Sequence, residues 1–323
     1  MNAAGRLGIF TAGLAAAFTA AYVTAAAVVP DTATIAHLGG GTVATAEHAA
    51  PVAQSARVLS PKPDAPGLSL AESGYTLGPV RAPRTADAPG TLSFSITDAA
   101  GKPLLDYTTL HDKQLHLIVV RADGRHFAHV HPVLDTATGA WSTPWTWSAA
   151  GTYRVFADFV PAGADSANLT LTRTVEVAGE YVPVQPAATR TVDHVAGYTV
   201  TLKGPLTAGV SRELAVEITR DGQPVTTLQP YLGAFGHLVA LRDGDLAYLH
   251  VHPEGDEPTA GREGGRVVPF AATAPTAGRY LLYLDFKVRD AVHTATFVVD
   301  ADAGDANAPA PETSHRGGHA GGH

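Results

Sequence analysis

Apolar positions in this chain come in short runs. Segments rich in Val, Ile, Leu, Thr and Tyr, such as TLSFSIT at 91–97 and ELAVEIT at 213–219, alternate with Gly, Pro and Asp turns at roughly ten-residue spacing. Runs of this kind predict strands, and their regular spacing predicts a small antiparallel sandwich. One segment breaks the pattern. LGIFTAGLAAAFTAAYVTAAAVV at 7–29 is uncharged and follows Arg6. A helix of that length covers a hydrocarbon core of ~30 Å, with the cation on its short side placed in the cytoplasm. A cleaved signal peptide is the competing reading, and either one exports the rest of the chain.

The pattern is written twice. GYTL at 74–77 answers GYTV at 197–200, TLSFSIT answers ELAVEIT, and AGTYRVFADF at 150–159 answers AGRYLLYLDF at 277–286. Between these, GKPLLDYTTLHDKQLH at 101–116 aligns without a gap on GQPVTTLQPYLGAFGH at 222–237, and HLIVVRADGRHFAHVHP at 116–132 on HLVALRDGDLAYLHVHP at 237–253. A duplication of this period makes a pair of domains, short of the repeats a solenoid needs. AGTY and AGRY resemble the corner of immunoglobulin-like folds, where a tyrosine hydroxyl ties to nearby backbone. The expected fold class is all-β: two tandem Ig-like or cupredoxin-like antiparallel sandwiches behind an N-terminal transmembrane helix or signal segment. The boundaries follow: 1–30 for that segment, 31–67 for an Ala/Pro/Gly linker, 68–178 and 194–300 for the sandwiches, 179–193 between them, and 301–323 for an unstructured His/Gly tail.

Composition sharpens this. The 45% hydrophobic and 16% charged residues are a globular balance, and 33 Gly with 23 Pro suit many turns better than a helix bundle. A net charge of −8 without any Lys/Arg run argues against nucleic acid, whose binding needs clustered cations. The absence of cysteine removes disulfides, thiolate metal sites and cysteine nucleophiles together.

Histidine carries the candidate chemistry. HVHP stands at 129–132 and again at 250–253. Asp123-Gly124 is a two-residue hairpin signal of type I′; with it as the loop, Ala122 pairs with Arg125 and His116 falls opposite His131. The gapless alignment puts the second loop at Gly244-Asp245, a type II′ pattern, and His237 opposite His252. Residues two apart on a strand share a face, as do directly opposed residues. Each hairpin is therefore expected to gather three imidazoles: His116, His129 and His131 in the first, His237, His250 and His252 in the second. Three neutral imidazoles can converge on one divalent ion. A single His-x-His on a strand is more often a solvated face, and duplicated packing is the bland explanation of two. The same triangle repeated in diverged surroundings favours metal.

Further ligands are less defined. His111 precedes the first hairpin but aligns with Leu232, His293 occurs only in the second copy, and His126, aligned with Ala247, is expected to point away. Asp158 and Asp285 recur in both copies, as ligands, as carboxylates that orient an imidazole through its other nitrogen, or as structural partners of an arginine. The tail HRGGHAGGH spaces His315, His319 and His323 with glycine, a composition associated with metal capture. With no cysteine and Met1 as the one methionine, blue-copper electron transfer is excluded and Cu(I) is disfavoured. Cu(II) or Zn(II) remains, with copper ahead on imidazole.

The stretches HDKQLHLIVVRADGRHFAHVHP, WSTPWTWSAAGTYRVFADF and LQPYLGAFGHLVALRDGDLAYLHVHPEG resemble the membrane-anchored or secreted actinobacterial proteins described as heavy-metal-binding-domain-containing. The resemblance spans about 68–300 and implies an extracytoplasmic metal-binding or metal-tolerance protein of β-sandwich fold. The expected function is thus sequestration, tolerance or delivery of a divalent transition metal, with the ion as partner and membrane contact through 7–29. No general base or substrate signature accompanies the histidines, so no enzyme is expected, although a three-histidine site with an open position can activate water. The alternative is a cell-surface Ig-like interaction module with incidental histidines, because sandwiches host many roles. Clustered histidines would make such a surface sensitive to pH.

Overall fold

The structure, a computed structural model, describes residues 66–304 except 164–165, 186–187, 250, 256 and 260. The expected anchor at 7–29, the linker up to residue 65, and the tail with His315, His319 and His323 lie outside the described residues, as does His250. Every regular element among the described residues is a strand, and no helix there is long and apolar enough to cross a membrane. The fold is all-β, as two Ig-like sandwiches in tandem whose strands pair antiparallel except for Leu206–Thr207, which runs parallel to Ala291–Asp302. In the first, one sheet orders Ala71–Glu72, Tyr75–Leu77, Gly90–Thr97, Ala140–Trp145 and Val133–Asp135. The other orders Leu169–Val177, Gly151–Pro161, Leu115–Arg121 and Ala128–Val130, with Tyr107–Thr108 also paired to Gly151–Pro161. The second sandwich repeats the plan. One sheet runs Val192–Val195, Tyr198–Lys203, Arg212–Arg220, Val267–Ala272 and Val251–Pro253, and the other Leu206–Thr207, Ala291–Asp302, Gly278–Val288, His237–Arg242 and Tyr248–Leu249. Both expected tyrosine corners form: Tyr153 Oη donates to the Ala149 carbonyl at 3.0 Å and Tyr280 Oη to the Thr276 carbonyl at 2.9 Å.

Burial separates outer from inner sheets. Along Gly90–Thr97 only Leu92, Phe94 and Ile96 are buried, and along Arg212–Arg220 only Leu214, Val216 and Ile218, the alternation of a sheet with one solvated face. Leu115–Arg121 is buried at every position. Its second face lies against the other sandwich: Ile118, Val120 and Phe156 pack with Val239, Leu241, Leu246, Tyr248, Leu281, Tyr283 and Val298 in a core distinct from those inside the sandwiches. Full burial of one such aliphatic side chain contributes roughly 1.5–3 kcal/mol, so this set holds the two inner sheets firmly together.

The contacts across this interface are reciprocal. Phe127 stacks on Tyr283 with ring centroids 4.1 Å apart, and their counterparts in the repeat, Tyr248 and Phe156, meet at 5.8 Å. His116 stacks on its own counterpart His237, with centroids 5.3 Å apart and planes 5° from parallel. Residue i touching j while counterpart of i touches counterpart of j is the signature of an isologous contact, here within one chain. The histidines therefore sit on a local twofold between the domains.

Candidate metal centre

The first hairpin has the expected register and a different turn. Leu117 pairs with Val130, Ile118 with His129 and Val119 with Ala128, which carries His116 opposite His131. The Gly124 N–H donates to the Arg121 carbonyl at 2.8 Å and the Arg121 N–H to the Arg125 carbonyl at 2.9 Å. Ala122, Asp123 and Gly124 thus form a three-residue loop, with Gly124 alone of the three at positive φ, 74°, where a type I′ pair would need Asp123 there too. Asp123 instead receives the Arg121 guanidinium, at 2.9 Å on Oδ1 and 2.7 Å on Oδ2. The extra loop residue would displace the ladder by one; His126, at φ 53°, is the extra residue in the return strand that restores it.

The second hairpin keeps the register, with Ala240 opposite Leu249 and Leu241 opposite Tyr248, but its loop has four residues: the Arg242 N–H donates to the Ala247 carbonyl at 2.9 Å, and Gly244 and Leu246 take positive φ. The type II′ pair is replaced because two positions inside the wider loop take left-handed backbone. Beyond Leu249 the chain changes sheets. Val251–Pro253 pairs with Val267–Ala272, placing the exposed His252 opposite Ala271. His131 stands at the equivalent changeover of the first copy, between Ala128–Val130 and Val133–Asp135.

Among the described residues, His116, His129 and His131 form the group whose ligand atoms all lie within 4.8 Å of one another. His116 Nδ1 is 3.0 Å from His129 Nε2 and 3.2 Å from His131 Nε2. Two nitrogens bound 2.0–2.1 Å from a tetrahedral ion stand about 3.3 Å apart, so the spacing suits a shared ion. The outer nitrogens are held by acceptors. His116 Nε2 faces the Leu110 carbonyl at 3.1 Å, and His129 Nδ1 faces Asp285 Oδ2 of the other sandwich at 2.9 Å. Asp285 is fixed in turn by Thr294, whose hydroxyl donates to Oδ1 at 2.6 Å. An acceptor on the outer nitrogen requires a proton there, which in a neutral ring leaves a lone pair on the inner one. With both rings neutral, two lone pairs face each other at 3.0 Å. A cation between them would resolve that repulsion, and Asp285 and the Leu110 carbonyl would then stand where orienting partners of metal-bound imidazole stand.

Burial and the neighbouring imidazoles oppose protonation. Desolvation, then His129, pushes His116 down to about 4, and desolvation followed by His129 and His116 takes His131 to about 3. His237, deep between the sandwiches, is depressed well below the ordinary histidine value, first by desolvation and then by the surrounding rings. These imidazoles are neutral at pH 7, the form that ligates metal.

The remaining candidates fall elsewhere. His111 lies with its ring centroid 6.2 Å from His116 and 5.7 Å from His237, bridging the sandwiches. His293 packs on Tyr198 and Phe286, each at 5.4 Å, inside the second sandwich. His126 is exposed and pairs with the Ser148 hydroxyl at 2.8 Å. Asp158 accepts from Thr170 at 2.6 Å and Asn168 at 2.9 Å. The reach of Asp285 across the interface was not deduced from sequence. Its signal was the paired aspartates in ADF and LDF, together with the unbroken apolar runs after His116 and His237 that mark strands covered on both faces.

The sequence matches the family described as Domain of unknown function (DUF8832) twice, at 71–179 and at 191–303, together more than half of the chain. The chain belongs to this family. Each DUF8832 copy corresponds to one sandwich, so the candidate centre lies where two copies meet. No curated protein matches the sequence. Among solved structures, the Escherichia coli adhesin FdeC is similar at 17% identity and a TM-score of 0.22, covering 72% of this chain and 65% of its own. Domains 4 and 5 of the S-layer protein SbsC are similar at 11% identity and 0.21, covering 73% and 98%, and the Yersinia pseudotuberculosis adhesin InvE at 13% and 0.20, covering 71% and 60%. The chain spans just under two thirds of the FdeC chain. Similarity at these scores carries no argument about function.

Proposed function

We propose that the chain is an exported protein that binds a divalent transition metal, Cu(II) or Zn(II), through His116, His129 and His131, for sequestration, tolerance or delivery. The observation that supports this is the 3.0 Å approach of His116 Nδ1 to His129 Nε2, with the Leu110 carbonyl and Asp285 as acceptors on the outer nitrogens, an arrangement that turns two lone pairs inward when both rings are neutral. The site assigns no water-activating base, and the reading is of a binding protein rather than an enzyme. The apolar segment 7–29 supports placement outside the cytoplasm, anchored or released. Isothermal titration of the metal-free full-length chain, with His315, His319 and His323 replaced by Asn to silence the tail, tests it. Cu(II) or Zn(II) should bind at this site, and His131→Ala should abolish that binding event while leaving the thermal transition of the metal-free protein within a few degrees.

A second reading is favoured by the ring packing. His116, His129 and His131 contact one another at centroid distances of 4.8–5.2 Å, and across the domain interface His237 meets His116 at 5.3 Å and His129 at 4.8 Å. A proton shared from His129 Nε2 to His116 Nδ1, with Asp285 beside it, also satisfies the geometry, and the chain would then be an Ig-like surface interaction module whose histidines join two sandwiches. Under that reading the titration shows no heat attributable to the triad, and His131→Ala leaves the metal response unchanged.

A further inference from the structure

The local twofold makes two equivalent places beside the aromatic pairs of the interface, and among the described residues they differ: one holds a segment of the chain and the other is a cleft. At the Tyr248–Phe156 pair, the segment that leads into the first sandwich lies on the second. The Tyr248 N–H donates to the Pro66 carbonyl at 2.8 Å, and a Cβ added to Gly67 would fall 2.5 Å from Tyr248 Cβ. Counted back from GYTL and GYTV, the counterpart of Gly67 is Arg190. Arg190 takes another course: its N–H donates to the Val298 carbonyl at 2.7 Å and its carbonyl accepts from the Val298 N–H at 2.9 Å. The Phe127 N–H, counterpart of the Tyr248 N–H, meets no acceptor among the described residues, and a cleft of about 430 Å³ opens beside Phe127 and Tyr283.

We propose that this cleft binds a small organic carboxylate with an apolar body. Its size and its place between two domains are those of ligand sites, which run from ~300 to 1,000 Å³. The buried cross-strand pair Leu281 and Val298 floors it, where the filled twin has Arg154 and Thr174. Exposed Arg125 stands at the rim, where the twin has Leu246. Between the two copies the positive charge has thus moved from floor to rim. The other charged groups of the lining are matched: Asp123 takes the Arg121 guanidinium and the Val184 N–H, and Arg190 is held by Asp193 and Thr296. His126 is tied to the Ser148 hydroxyl. The Arg125 side chain has neither an ion pair nor a hydrogen bond among the described residues. The twin also shows what the strand N–H accepts, a carbonyl oxygen, and a carboxylate oxygen is the stronger acceptor. None of these groups belongs to the histidine triad, so the cleft does not depend on the metal-binding reading.

The test uses the metal-free full-length chain with labelled Leu and Val methyl groups, titrated by NMR with phenylacetate and, in parallel, with phenylacetamide, which keeps the ring and loses the charge. The Leu281 and Val298 methyl signals should shift saturably with phenylacetate and far less with the amide. Arg125→Leu installs the residue that the second copy carries at an exposed position, and should weaken phenylacetate roughly tenfold, as the loss of one hydrogen bond to a charged group does. Arg125→Lys keeps the charge and should restore most of the affinity. His131→Ala should bind phenylacetate like the parent, which separates the cleft from the triad. Equal responses to acid and amide, or a phenylacetate response indifferent to Arg125→Leu, would overturn the carboxylate assignment. Unmoved Leu281 and Val298 signals would overturn the site.

Discussion

At the residue scale the centre is set by what lies behind each imidazole. His129 is an ordinary strand histidine until Asp285, arriving from another domain, takes the proton side of its ring and turns the other nitrogen inward. Asp285→Asn preserves size and the possibility of a hydrogen bond from Thr294 but removes the charge and allows the ring to flip. Outer partners of metal-bound histidine typically affect affinity by about 10–100-fold. Asp285→Asn is accordingly expected to weaken the ion at the triad by about that factor in a chelator-competition titration. An unaltered affinity would mean that His129 is not a ligand.

At the element scale the hairpins do the positioning, and their turns show why register and turn type need separate arguments. Gly124 holds φ 74°, a Cβ there would fall 2.3 Å from Leu281 Cδ1, and its carbonyl accepts from Tyr283 Oη at 2.6 Å. An L-residue in that conformation costs roughly 1–2 kcal/mol before any clash. Gly124→Ala should therefore lower the urea midpoint of unfolding and, by pressing the loop from the second sandwich, weaken the ion at the triad as well; Gly244→Ala, where no atom lies within 4 Å of the added Cβ, should show the first effect alone. Much of this was legible in the sequence. The turns around 123 and 244 and the spacing to HVHP placed His116 opposite His131, because the side-chain period of a strand is insensitive to what the loop does so long as the ladder recovers. The loop geometries were not legible, since the Arg121–Asp123 pair and the kink at His126 are side-chain and backbone choices that the dipeptide signal does not encode. Nor was the change of sheet after Leu249, which moves His252 out of the strand facing His237. The role of Asp285 depended on how two domains pack, information that neither copy carries alone.

At the scale of the molecule, duplication has put one histidine-bearing face against its own copy, so that His116 is buried and His129, His131 and His237 are half-buried beside the interface that unites the sandwiches. That burial makes stability depend on pH with a definite sign. His116 and His131 have folded values of about 4 and about 3, and His237 is also depressed, while an unfolded chain protonates histidine near 6.5. Below that pH the unfolded state binds more protons than the folded one, so stability falls with pH; the change begins near 6.5 and levels off once the folded values are passed. Each such group contributes a slope of up to about 1.4 kcal/mol per pH unit within the window. Carboxylates that titrate at the acid end add to the same trend, so the comparison must be internal. Metal-free protein should lose unfolding free energy between pH 6.5 and 4.5 in urea titrations, and His131→Gln, which removes one half-buried imidazole, should flatten that slope. If an ion bridges the triad as proposed, the loss with Zn(II) present should be steeper than in metal-free protein, because protons then also displace it. Equal slopes with and without metal would leave the histidines as interface packing alone.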